Sequence, residues 1–285
     1  MAGWLELLRE CLRGAGGLDG AEPRAPVAVE RRHSARPPAF DGRPRRDARF
    51  PDPYNMGVNA EAFLYDDRYP ARAKTLMMSY KRLREVDVPE VMAAIIAETP
   101  GRKWRYYRDM SRQLWDEARH ALMGQVGFTA LGIDWPHLVR VNLGLNTQLS
   151  ALDRQAVLYF IEQGLMTRTG KRFEWEVAAA SGDPLSRLFQ DHDWADEVLH
   201  ARIGRDWYVS QVGGLREAVE RGDRCWSRVL MDWDLWRRGL TRHENWWPAL
   251  YRAACAAWKL PPDPEVEAFS TPYGGRRADL REVFG

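Results

Sequence analysis

Two copies of the pattern Asp-Glu-x-x-His-Ala-x-x-Gly lie eighty positions apart in this chain of 285 residues, at Asp116 to Gly124 and Asp196 to Gly204. On a helix, a Glu and a His three residues apart leave the same face about one turn apart, so a carboxylate and an imidazole can hold one metal ion. Glu117 with His120 and Glu197 with His200 are such pairs, and two pairs facing each other would form a dinuclear site. One Glu-x-x-His in a helical chain is more often a salt-bridged surface face than a ligand set. Repetition of Asp, Glu, His, Ala and Gly in register lifts these two above that background.

A dinuclear site in a helical bundle takes one further carboxylate from each of two other helices. Glu162 follows the apolar run Val157-Leu158-Tyr159-Phe160-Ile161, where a carboxylate facing the core needs a partner. Upstream of the first motif the choice lies between Glu85 and Glu90, with Asp87 between them. Glu85 and Glu117 are equally far from a turn centred near Gly101, which favours Glu85 in an antiparallel pair. Pro89 restarts or kinks a helix at this point, which would instead bring Glu90 inward. Mixed carboxylate and imidazole donors suit Fe(II) or Mn(II), and the lack of Cys beside either motif argues against a thiolate zinc site.

Long helical periodicity must position these residues. It begins near residue 69 and breaks at Thr99-Pro100-Gly101, at Gly132 to Pro136, at Ser181-Gly182-Asp183-Pro184 and at Gly213-Gly214. The breaks predict four helical segments at about 72–98, 102–131, 147–180 and 185–212, with further helices near 215–240 and 244–258. Asp183 before Pro184 is placed to cap the fourth segment. No alternating β-branched run competes, so the fold class is all-α. Residues 1–55 read as a short N-terminal helix and a Pro- and Arg-rich arm, 56–213 as the bundle carrying the site, and 214–285 as Trp-rich C-terminal helices and a tail.

Glu162, the two Asp-Glu-x-x-His motifs and a Glu upstream of them resemble the ferritin-like di-iron carboxylate superfamily, which includes bacterioferritin, rubrerythrin, the ribonucleotide reductase small subunit and bacterial multicomponent monooxygenases. Phe160-Ile161-Glu162-Gln163-Gly164-Leu165, together with the stretch from Ala195 to Tyr208, is similar to an uncharacterised bacterial ferritin-like family related to the tRNA hydroxylases. The resemblance spans residues 70 to 212. It implies a ferritin-like four-helix bundle holding two iron ions, with a Mn/Fe pair as a variant. Glu117 and His120 would ligate one ion, Glu197 and His200 the other, with Glu85 and Glu162 as terminal or bridging ligands. It also implies that Asp116 and Asp196 each accept the free ring N–H of the opposite histidine. Radical-forming reductase subunits carry a Tyr four residues after the first motif's His. Gly124 stands there, matched by Gly204, which excludes a stable tyrosyl radical at that position and leaves room for close helix packing or a substrate.

The expected function is an O2-dependent di-iron oxidase or monooxygenase (hydroxylase) acting on a small organic substrate or a modified nucleoside, with an external electron donor. The alternatives are an iron- or peroxide-handling protein similar to ferritin or rubrerythrin, and a metal-stabilised, RNA-associated helical module. A net charge of +2 gives no general electrostatic case for nucleic acid. A tRNA substrate would use a basic face such as Arg102, Lys103, Arg105, Arg108 and Arg112, a run that is usually a solvated helix face. Cys11, Cys225 and Cys255 are few and widely spaced, which fits free thiols in the cytoplasm, and no apolar run reaches bilayer length. His33, His137, His192 and His243 lack a second ligand at helical spacing. Trp226, Leu230, Trp233 and Trp236 form a stripe expected in a core or a homodimer interface.

Overall fold

The computed structural model describes residues 58–139, 149–166, 170–240 and 245–270, with backbone alone over 229–240. The expectations for the N-terminal arm, Cys11, His33, His243 and the side chains of Leu230, Trp233 and Trp236 fall outside the described residues. Helices are α1 (Ala60–Leu64), α2 (Ala71–Arg84), α3 (Asp87–Glu98), α4 (Trp104–Ala130), α5 (Trp135–Leu138), α6 (Ala151–Leu165), α7 (Lys171–Ser181), α8 (Pro184–Trp207), α9 (Leu215–Leu240), α10 (Trp247–Trp258) and α11 (Pro264–Glu267). No strand occurs among the described residues, in keeping with the all-α expectation. None of their helices is long and apolar enough to cross a membrane.

The four expected breaks each contain a glycine in the left-handed region: Gly101, Gly132, Gly182 and Gly213 with Gly214. At the third break Gly182 ends α7, the Asp183 side chain accepts from the Leu185 N–H at 3.1 Å, and Pro184 takes the first helical position. These local rules made the boundaries of α4 and α8 readable.

Two expected segments are each two helices. The first divides at Glu85-Val86, so α3 begins at Asp87 and Pro89 falls in its first turn, where its missing N–H removes no intrahelical bond. The single helix expected over 147–180 ends at Leu165 and restarts at Lys171. Gly164, Gly170 and the threonines at 167 and 169 make this stretch poor in helix propensity. The restart also lets Lys171 and Glu174 turn into the protein, where both are buried.

Packing closes a ring. α2 and α3 lie on α4, α4 on α8, α8 on α6 and α7, α3 on α6, and α2 on α7. The inner faces of α4 and α8 carry buried polar residues at helical spacing: Gln113, Asp116, Glu117 and His120 on one, Gln190, Asp193, Asp196, Glu197 and His200 on the other. Gly124 lets α4 approach α2 so closely that a Cβ would strike the backbone of Ser79 and Leu83. Gly204 faces the Tyr159 ring of α6 in the same way. Both glycines therefore serve close packing.

The main apolar core lies outside this ring. Phe63 of α1 stacks on Tyr69 at 4.2 Å between ring centroids and meets Trp247 of α10 and Phe269, while Tyr80 of α2 packs on Trp246. α9 runs along α6, and Cys225 and Cys255 are buried free thiols on α9 and α10. These C-terminal helices brace the outer faces of α2 and α6.

Candidate metal centre

The histidines of the two motifs meet across the α4–α8 interface with ring centroids 5.8 Å apart. His120 Nδ1 lies 3.4 Å from Glu85 Oε2, 3.6 Å from Glu117 Oε2, 3.5 Å from Asp193 Oδ1 and 4.0 Å from Glu197 Oε1. His200 Nδ1 lies 3.0 Å from Glu117 Oε1, 3.5 Å from Glu197 Oε2 and 3.8 Å from Glu162 Oε1. Glu117 and Glu197 thus each turn one oxygen to either histidine. That geometry makes the two motif glutamates the shared groups and places Glu85 and Glu162 at opposite ends.

Donor atoms gather into overlapping groups: Glu117, Glu162, Glu197 and His200; Glu85, Glu117 and His120; and His120, Asp193 and Glu197. All six residues expected from the sequence are therefore brought together. Glu85, at the C-terminal end of α2, enters the cluster, whereas Glu90 and Asp87 on α3 do not. His137 and His192 are exposed and stand apart from these groups.

The outer ring nitrogens face aspartates of the opposite helix, with a hydrogen bond at His120 and a longer approach at His200. His120 Nε2 is 3.1 Å from Asp196 Oδ2 and His200 Nε2 is 3.5 Å from Asp116 Oδ2. Each aspartate is backed by arginine: Arg112 reaches Asp116 at 2.8 Å, and Arg119 pairs with both Asp116 and Asp196. The Asp196 partner fixes the His120 tautomer, so that Nδ1 is left as the inward donor atom, and at His200 the ring is likewise turned with Nδ1 inward and Nε2 toward Asp116.

The inward atoms are the ones a cation would satisfy. Glu85 Oε2, Glu117 Oε1, Glu197 Oε2, His120 Nδ1 and His200 Nδ1 are buried without a hydrogen-bond partner. Buried polar groups are normally paired, and these orphans converge on one region whose donor atoms could hold a metal ion. Electrostatics agree. Burial, with the charges of Glu197 and Glu117, pushes the Glu162 carboxyl well above the usual carboxylate range. Burial works against a charged His120, yet Asp196, Glu117 and Glu85 together raise its imidazole to about 12. A carboxylate cage this negative favours a cation. Two imidazoles and four carboxylates form a donor set that fits a pair of Fe(II) or Mn(II) ions.

A cavity of about 20 Å³ adjoins the Glu162 and His200 side, walled by Met110, Leu158, Tyr159, Ile203 and Trp207. That is room for a water-sized molecule. Gln113 Nε2 donates to Glu162 Oε1 at 3.0 Å on the same wall. Four residues with a part in the cluster were not anticipated: Gln113, Asp193, Lys171 and Arg82. Gln113 and Asp193 sit four residues before Glu117 and Glu197, the same helical face, so their spacing carried a signal. Lys171 carried none, because its approach depends on the break between α6 and α7.

The basic run on early α4 is largely paired within the protein. Arg105 faces Asp206 at 3.1 Å, Arg108 faces Asp109 at 2.9 Å, Arg112 faces Asp116, and Arg102 donates to Gln211. No protein-family model, curated protein or solved structure matches the chain.

Proposed function

We propose that the protein is a ferritin-like, carboxylate-bridged di-iron oxidase that uses dioxygen to oxidise or hydroxylate a small organic substrate or a modified nucleoside. The observation that carries this reading is the convergence of unpartnered inward atoms from both Glu-x-x-His pairs and Glu85 on one buried region. Two ferrous ions held there would supply binding positions and electrons for the reduction of dioxygen. Glu117 and Glu197 neutralise both halves of the site, because each presents one oxygen to either histidine. Asp196 holds the outer ring nitrogen of His120 and Asp116 lies 3.5 Å from that of His200, which keeps Nδ1 of each ring available as donor. Gln113 orients Glu162 at the cavity, and the apolar wall of Met110, Leu158 and Ile203 limits water beside it. A monooxygenase cycle needs two more electrons, so an external donor belongs to this reading.

The size of the cavity favours one second reading. A volume of about 20 Å³ accepts dioxygen or peroxide more readily than an organic molecule, as in an iron- or peroxide-handling protein.

The test is metal content per chain after anaerobic Fe(II) loading, followed by Mössbauer spectra as oxygen is admitted. About two irons per chain and a spin-coupled diferric product are expected from the donor count of a dinuclear bundle site. A chain that retains no iron would leave the motifs as salt-bridged helix faces and end the di-iron reading. Continued turnover of excess Fe(II) or added peroxide, without any organic substrate, would move the second reading to the front.

A further inference from the structure

The two halves of the centre are related by the eighty-residue repeat, and the repeat is broken at one informative position. Gln113 on α4 corresponds to Asp193 on α8, each four residues before its motif glutamate. Gln113 is neutral and donates to Glu162 at 3.0 Å. Among the described residues, no Lys or Arg forms an ion pair with Glu117 or Glu162; their charged-pair contacts are to the histidines. Asp193, by contrast, draws two buried cations to the other half. Lys171 Nζ lies 2.9 Å from both of its oxygens and 2.9 Å from Glu197 Oε1, and Arg82 pairs with Asp193 as well as with Glu85 at 2.9 Å. Both cationic side chains are essentially inaccessible to solvent. Arg82 also meets Glu174 at 3.3 Å, and Lys81 pairs with the same carboxylate, so the cations are locked in a buried network.

Resting on the di-metal reading above, we infer that the centre is electrostatically unequal: metal binds first and tightly among Glu117, Glu162, Glu197 and His200, and second and weakly among Glu85, Glu117 and His120. Lys171 is the positioning residue that sets the difference. Its ammonium group already pairs with Glu197 Oε1, the oxygen of that shared carboxylate turned toward His120, and holds Asp193, and with Arg82 it places two fixed positive charges beside the second ion. Coulomb repulsion between like charges in a poorly screened interior lowers affinity for that ion. The first half-site lies on the cavity side, so it is also the half that an incoming small molecule reaches.

The experiment is anaerobic Mn(II) titration of the full apo chain by calorimetry, with electron paramagnetic resonance to separate an isolated ion from an exchange-coupled pair. Wild type is expected to bind in two steps at least tenfold apart in affinity, with an isolated-ion spectrum after the first. Glu162→Gln should remove the tight step and Glu85→Gln only the weak one. Lys171→Met should raise the affinity of the weak step at least tenfold, whereas Lys171→Arg should keep the gap. A structural lesion does not tighten one site, so the gain separates electrostatics from misfolding. Where Lys171→Met fails to fold, Lys171→Gln supplies hydrogen bonds to the same carboxylates without the charge and carries the same expectation. Two equal steps in wild type, or a gap unchanged in every uncharged variant, would overturn this inference and leave the di-metal reading standing. Absence of Mn(II) binding would overturn both.

Discussion

In the proposed metal centre each histidine must offer one ring nitrogen and orient the other, and that second nitrogen faces the aspartate of the opposite motif, at 3.1 Å for His120 and 3.5 Å for His200. Removing the charge at that position should therefore act on the metal through the imidazole. Asp196→Asn and Asp116→Asn are expected to lower metal affinity by roughly 10- to 100-fold while the fold persists, read by competition with a chromogenic chelator. Truncating a proposed ligand is more severe: His120→Ala or His200→Ala should lose metal outright with the far-ultraviolet circular dichroism unchanged. Full occupancy in both alanine variants would sink the assignment. Glu85→Ala should reduce occupancy where Glu90→Ala does not, since only Glu85 reaches His120, at 3.4 Å. Glu117, His120, Glu197 and His200 were legible because helical periodicity alone fixes which side chains share a face. Lys171 and Arg82 were not, because charged residues on a helix are ordinarily solvated and only tertiary packing buries them.

At the scale of elements, the motif glycines show how helix spacing is set. Alanine in a helix interior is favoured over glycine by about 1 kcal/mol, but a Cβ at Gly124 strikes the α2 backbone. Overpacking of this kind costs about 1–3 kcal/mol. Gly124→Ala should therefore be net destabilising, seen as a lower denaturant midpoint, and an unchanged or raised midpoint would show that α2 and α4 do not pack this closely. A second element contact is sensitive to acid. Glu61 of α1 pairs with Arg84 of α2 at 2.7 Å, and although burial opposes its ionisation, the Arg84 and Lys81 charges bring its carboxyl down to about 2. A depressed carboxyl contributes stability above its unfolded value, near 4.5, and loses that contribution as pH falls from there toward 2. Glu61→Gln should be less stable than wild type at neutral pH, with the difference shrinking across that window in urea melts at stepped pH. Helix ends marked by glycine, proline and an Asp cap were readable locally. The restart at Lys171 was missed because a run of moderate helix formers hides a break that glycine and threonine permit and burial of Lys171 and Glu174 favours.

For the whole molecule, a ligand that binds the folded chain and not the unfolded one raises stability by mass action. At a free metal concentration 100 times the dissociation constant the gain is about 2.7 kcal/mol, and each kcal/mol is worth about 2–4 °C in a domain of this size. Anaerobic Mn(II) or Fe(II) should raise the melting temperature by several degrees, chelator should reverse it, and the His120→Ala variant should show a reduced shift. The C-terminal helices brace the outer faces of α2 and α6 through Trp246 and the α9–α6 contact, with Trp247 packed on α1, so the site helices are held by packing remote from the Glu/His cluster. The sequence by itself determined the helical class, the main breaks and the two Glu-x-x-His faces, because backbone propensity, capping and a 3.6-residue period act over one or two turns. Only tertiary structure decided that Glu85 and not Glu90 meets His120, that Glu117 and Glu197 each face both histidines, and that Asp193, Lys171 and Arg82 charge one half of the site. Those outcomes depend on the relative rotation and spacing of helices distant in sequence, which are fixed by close packing at Gly124 and Gly204 and by the energetic need to pair every buried charge.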